Sequence, residues 1–284
     1  MLEVFLKYEF LQNAVITGLL IGLVAPILGI FIVVRRLSLI ADALSHITLT
    51  GIAASLFLEK KVLGIDTLNP IYLGMIFSVI GALLIERLRK VYRHYEELAI
   101  PIILSGGIGL GVIFISLAEG FNTDLFSYLF GSVAAVSRSN MWIVLIITII
   151  VCLLVFLFYK ELFILSFDEE HASISGVKGR WIHLLFILMV ALVIASSMQV
   201  VGILLVSALI SLPVASAIRI SKSFKQTMWV SVIFSETSVI VGLISAYYLG
   251  VPPGGTIVMT AILILILAIA YSKFSRYFWS RLMR

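Results

Sequence analysis

The stretch SLIADALSHITLTG, residues 38–51, sets Asp42 and His46 four residues apart among apolar side chains. On a helix, positions i and i+4 share one face and lie about 6 Å apart along the axis. A carboxylate and an imidazole on one face can bind one cation. That mixed oxygen and nitrogen chemistry suits zinc, manganese or iron(II) better than magnesium or calcium, which prefer oxygen alone. One such pair supplies too few ligands for a stable site. A second copy related by a two-fold axis brings the ligands to four, enough for tetrahedral zinc. A plainer reading stands beside it. Asp42 bonds Ser38 or Ser45, His46 bonds Thr50, and the group is polar glue between helices.

The elements that must position this pair are built for lipid. The 284 residues are 62% hydrophobic and 12% charged, with a mean hydropathy of +1.19. A soluble domain carries about 25% charged residues. Several apolar runs reach or approach the ~18–20 residues that cross a bilayer. The alternation of a membrane β-barrel is missing. The expected fold is an all-α polytopic membrane protein of about nine transmembrane helices, or eight. The spans fall at about 11–34, 38–58, 70–88, 98–118, 140–159, 182–198, 199–219, 226–249 and 255–273. Residues 121–137, FNTDLFSYLFGSVAAVS, are too short and too polar at their ends for a crossing. They read as a re-entrant or interfacial helix, tolerated where protein covers the backbone.

Orientation follows from lysine and arginine. With the connection holding Arg35 and Arg36 in the cytoplasm, only Lys7, Lys60, Lys61 and Arg138 of the 20 basic residues fall outside. The N-terminus is then outside and the C-terminus cytoplasmic. The same distribution explains the net charge of +5 without a nucleic-acid partner. The first apolar stretch follows MLEVFLKYEFLQNA, which lacks a signal peptide's basic start and cleavage site, and it reads as a retained helix. Cys152 is the only cysteine, so no intramolecular disulfide forms. His46 lies ten residues beyond Arg36, roughly 15 Å at 1.5 Å per residue, near the middle of a ~30 Å hydrocarbon core. An aspartate near that depth costs roughly 3 kcal/mol, so a compensating partner is expected.

Other residues carry weaker signals. Glu236, in IFSETSVIVG, is an intramembrane acid at similar depth and a candidate for the transport path; in a secondary transporter it would be the residue of proton coupling. The alternative is a protonated side chain bonded to Ser235 or Thr237. SGGIGLG (105–111) lacks the order of a phosphate loop, and Gly107 and Gly111 read as points of close helix packing. There is no G-x-x-x-x-G-K-[ST] and no H-E-x-x-H. ATP hydrolysis, if it drives this chain, therefore belongs to another one. His94, His171 and His183 fall at the cytoplasmic side and are assigned to no metal.

At Val33–Ala53, VVRRLSLIADALSHITLTGIA, the chain resembles the permease subunits of bacterial zinc and manganese ABC importers. LFSYLFGSV (125–133), VVGILLVSALISLPVASA (200–217) and LGVPPGGTIVM (249–259) are similar to later segments of that family, in the expected order. The opening YEF and the form LSHITLTG look more like the zinc branch. Ala41 and Thr50 depart from the glycine and proline of many members, and Gly250 stands where many have a polar or acidic residue. The resemblance implies a single transmembrane permease domain over 1–284 in a bacterial plasma membrane. It implies a homodimer, a cytoplasmic pair of ABC ATPase subunits and an extracellular metal-binding lipoprotein. Asp42 and His46 match the family's intramembrane metal pair. Zinc, or else manganese or iron, is then the transported ion, with no permanently bound cofactor and no enzymatic activity in this chain.

Force from the ATPase must enter at a cytoplasmic surface. The longest is at about 160–181. It reads as a short amphipathic helix ended by a glycine, Gly176. Phe163, Ile164 and Phe167 are expected to fill a groove on the ATPase. Asp168, Glu169 and Glu170 are expected to set register at its rim. The family resemblance points to the same segment as the coupling helix.

Overall fold

The computed structural model describes residues 8–59, 69–92, 94–118, 123–132, 136–168, 172 and 174–282. Among these the regular structure is helical. The helices are α1 (Glu9–Val34), α2 (Leu39–Leu58), α3 (Pro70–Val91), α4 (Ala99–Leu117), α5 (Thr123–Phe130) and α6 (Arg138–Leu157). They continue as α7 (Tyr159–Phe167), α8 (Gly179–Val201), α9 (Ile203–Ile218), α10 (Phe224–Leu249) and α11 (Pro253–Leu282).

Local chemistry sets several boundaries. Asn69 Oδ1 accepts from the Ile71 amide at 3.2 Å, and Pro70 opens α3, a position where its missing N–H costs nothing. Ser137 and Ser223 cap α6 and α10 through the Asn140 and Gln226 amides. α10 ends at Gly250, whose φ of 63° is left-handed, and Pro253 starts α11. This conformation favours glycine at position 250. Asn and Asp tolerate that conformation, while a β-branched residue does not. Gly250→Asn should leave stability unchanged, and Gly250→Val should cost about 1–2 kcal/mol. Thermal unfolding in detergent reads the difference.

Helix α2 lies between α3 and α4. A second group gathers α1, α9, α10 and α11, and α8 and α9 join the two groups. Helix α6 flanks α1 and α8. Among the described residues, eight helices are long and apolar enough to cross a membrane. The span expected at 199–219 is α9, which has 16 residues, or ~24 Å, and is short for a ~30 Å core.

The break between α8 and α9 falls at Gly202, not at the 198/199 boundary expected from sequence. Gly202 has φ +85°, and a Cβ there would lie 2.5 Å from the Gly131 nitrogen and the Phe130 carbonyl carbon. The end of α5 thus seats against the break, and the Ser132 amide donates to Gln199 O at 3.1 Å. Only residues 123–130 of the expected re-entrant segment are helical. Residues 121–122 and 133–135 lie outside the described set. A polar seam closes the same end. Asn140 Nδ2 donates to Gln199 Oε1, and Asn140 Oδ1 accepts from Asn69 at 2.7 Å.

The 160–181 connection is not one amphipathic helix. Helix α7 stops at Phe167 because Asp168 is extended, with φ −153°. Helical geometry returns at Ala172 and Ile174. Gly176, at φ +80°, then reverses the chain, and the Val177 amide donates to Ala172 O at 3.0 Å. The turn expected at Gly176 is present.

Candidate metal half-site

Asp42 and His46 occupy the first two turns of α2, about 5 and 10 Å along the axis from Leu39. Arg36 has φ +57° and the chain turns between Arg35 and Ser38, so helical rise starts only at Leu39. This placement supplies part of the compensation an intramembrane carboxylate needs. The free amides and positive end of the helix dipole lie within a turn of Asp42.

Both side chains are half-buried, while Ala41, Ala43, Leu44, Ser45 and Ile47 around them are buried. With the exposed Ser38 and Leu39 they form the one accessible stripe on this part of α2. They therefore face away from the protomer's own core. Neither side chain makes a hydrogen bond to any described residue. The polar-glue reading expected Ser45 and Thr50 as partners. Ser45 Oγ is buried without a hydrogen bond among the described residues. Thr50 Oγ1 faces the Gly107 carbonyl at 2.7 Å and the His46 main-chain carbonyl at 3.0 Å. No cluster of three metal-ligating side chains occurs among the described residues. Asp42 and His46 thus form a two-ligand set that a second donor pair would complete.

Glycines on the neighbouring helices fix the rotation of α2. Added Cβ atoms would lie 2.5 Å from Ile47 Cδ1 at Gly81 and 2.9 Å from Ile47 Cγ1 at Gly107. A Cβ at Gly111 would lie 3.1 Å from Thr50 Oγ1, and one at Gly51 2.6 Å from Leu73 O. Ile47, the residue after His46, is therefore held from α3 and α4 at once, and His46 must point outward. The close packing expected at Gly107 and Gly111 is present.

Glu236 belongs to a different helix from this pair. It is half-buried on α10 against Gly22 of α1, where a Cβ would come within 3.2 Å of its carboxyl carbon. Helix α9 packs against both α10 and α2. Neither Ser235 nor Thr237 bonds Glu236. Ser235 Oγ has no partner among the described residues, and Thr237 Oγ1 donates to Ile233 O at 2.7 Å.

Of the residues expected to couple to an ATPase, Phe163 turns inward. Its ring packs edge-on against Phe224 at 5.0 Å and beside Phe167 at 4.9 Å. Ile164 is half-buried. Phe167 is 61% exposed and Ile174 85% exposed, so these two stand out from the surface. Asp168 is exposed, as is Gly176; Glu169 and Glu170 lie outside the described residues. Sequence reasoning left Glu86 and His183 without a role, yet both are buried, at 8% and 5% exposure. The available signal was a histidine and a glutamate on segments otherwise apolar enough to span a membrane.

Helices of this length and hydropathy, around a cation-competent half-site and without a nucleotide motif, define a multi-pass membrane permease. The chain matches the ABC 3 transport family over residues 7–272 and belongs to that family. It is 36% identical over 272 residues to the manganese transport system membrane protein MntC of Listeria monocytogenes, covering 95% of this chain and 94% of that one. It is 33% identical to a probable metal transport system membrane protein of Treponema pallidum, covering 95% and 98%. Among solved structures it is similar to PsaBC from Streptococcus pneumoniae in complex with Fab. There the TM-score is 0.81 and the identity 33%, covering 96% of this chain and 98% of that one. The chain is a membrane component of an ABC transport system and is not itself catalytic.

Proposed function

We propose that this chain is the permease of an ATP-driven importer of a divalent transition-metal ion, with Asp42 and His46 of two copies forming the transit site. One observation carries the reading. On a helix otherwise sealed into the protomer, the accessible stripe bears a carboxylate and an imidazole one turn apart, neither bonded to the described residues. Two such stripes facing each other supply two oxygens and two nitrogens.

Manganese is the first candidate cargo. The Listeria relative and a Streptococcus gordonii import permease, ScaB, are both named for manganese. This replaces the zinc preference drawn from YEF and LSHITLTG. Zinc remains the second candidate, because four O/N donors also suit a tetrahedral ion. In the orientation we propose, the N-terminus is outside and the basic ends of the helices are cytoplasmic. A binding protein delivers the ion at the Asn69–Asn140–Gln199 end, and an ATPase pair engages the opposite end. The test is uptake of radioactive manganese and zinc into proteoliposomes holding permease and ATPase, with metal-loaded binding protein outside. Manganese accumulation that requires ATP supports the proposal. ATP-independent uptake of either ion refutes it.

The coupling surface we propose is 160–178, with Phe167 and Ile174 as the apolar contacts and Asp168, Glu169 and Glu170 at the rim. A cysteine at Ile174 in a Cys152→Ser background should crosslink to a cysteine in the ATPase groove, and the yield should change with nucleotide. No crosslink from any position between Phe167 and Val177, in a complex that still transports, removes this segment from the mechanism.

A further inference from the structure

We propose that His183 and Arg89 form an inner joint that passes motion of the coupling segment to the helix carrying Asp42 and His46; the inference rests on the coupling reading above. Helix α8 starts directly after the coupling segment, and little slack lies between them. The Val177 amide bonds Ala172 O at 3.0 Å, the Gly179 amide bonds Val177 O at 2.8 Å, and the Trp181 amide bonds Lys178 O at 2.9 Å. A displacement near Ile174 therefore moves the head of α8, its first two turns, which contain His183.

That head is tied to both sides of α2. On one side, Arg89 of α3 donates from Nη1 to His183 Nε2. A guanidinium only donates, so the imidazole accepts. Arg89 Nη2 reaches Glu96, in the short turn that leads into α4, at 2.5 Å. Glu86, one turn before Arg89, sits 3.5 Å from His183 Nε2 and 3.6 Å from Lys90 Nζ. One guanidinium thus fastens α8 to α3 and to the start of α4, the two helices whose glycines grip Ile47. On the other side, Phe186 lies in the next part of α8 and is fully buried. The Arg35 guanidinium stands 5.7 Å from its ring centroid. Arg35 is in the turn that enters α2. The head of α8 therefore touches the clamp around α2 and the turn that feeds it.

A packed element with two arrangements is what carries motion between distant sites. Buried polar contacts suit that role, because their geometry is specific and a half-made contact is costly. His183 and Arg89 act through α2 and are positioning residues.

The experiment uses the reconstituted permease–ATPase complex with metal-loaded binding protein. It measures metal moved per ATP hydrolysed, together with the Ile174 crosslink. His183→Leu keeps bulk but removes the acceptor; His183→Gln restores one. With His183→Leu, the ATPase should co-purify, the crosslink should still respond to nucleotide, and metal per ATP should fall at least about 10-fold. His183→Gln should recover to within about 3-fold of the native ratio. A native ratio in His183→Leu, or equal losses in Leu and Gln, overturns the joint. If the Leu variant does not assemble, Glu96→Gln is the second test. Its site is 47% exposed, so folding is preserved. A several-fold lower ratio supports the joint, and an unchanged ratio overturns it. Absence of any nucleotide-sensitive crosslink in the native complex overturns the coupling reading instead, and the joint with it.

Discussion

Asp42→Asn and His46→Ala should each abolish metal uptake while leaving assembly of the permease with its proposed ATPase intact. Even groups outside the ligand shell cost about 10–100-fold in metal affinity when removed, so loss of a ligand should cost at least about 100-fold. Folding should survive both changes, because neither side chain bonds the described residues and both are half-buried. Asp42→Asn is the sharper test. It preserves shape and one oxygen donor but removes the negative charge that offsets a divalent ion in lipid. Normal uptake by both variants sinks the transit site.

How much of this was readable beforehand depends on range along the chain. The Asp42–His46 pair was legible because i and i+4 are neighbours on any helix. Gly107 and Gly111 were legible for the same reason, as small residues one turn apart. The turn before α2 was not legible, because Arg36 adopts a left-handed conformation that ordinary residues rarely adopt, and no local pattern announces it. The break at Gly202 was hidden within an apolar run that continues from α8 into α9. What selects Gly202 is the approach of Gly131, 71 residues away in sequence. Phe163 looked like a docking residue because its partner ring, Phe224, belongs to a helix three elements later. The contact of His183 with Arg89 spans 94 residues, and no periodicity links them. Contacts within one helix could be read, and contacts between distant helices required the fold.

Gly51→Leu or Gly107→Val should remove transport although every ligand remains. The reason is the narrow seat of α2. At Gly51 a first side-chain carbon would lie 2.6 Å from Leu73 O and 2.7 Å from Phe77 Cβ, and the carbonyl cannot rotate away without breaking α3. At Gly107 it would press on Ile47 Cγ1 at 2.9 Å. Overpacking of this kind costs about 1–3 kcal/mol, enough to shift a helix without unfolding the bundle. The shift falls on Ile47 and its neighbour His46, so two facing half-sites lose register. Gly106 provides the control, since nothing stands within 4 Å of a Cβ there. In the solubilised protomer, Gly106→Val should unfold at the native temperature while Gly107→Val unfolds several degrees lower. Uptake in the Gly51 and Gly107 variants should fall with the metal affinity of the complex, measured by calorimetry. Native affinity together with lost transport would move the defect from the metal seat to the path beyond it. Native affinity with native transport would mean that the orientation of α2 is not set by these glycines.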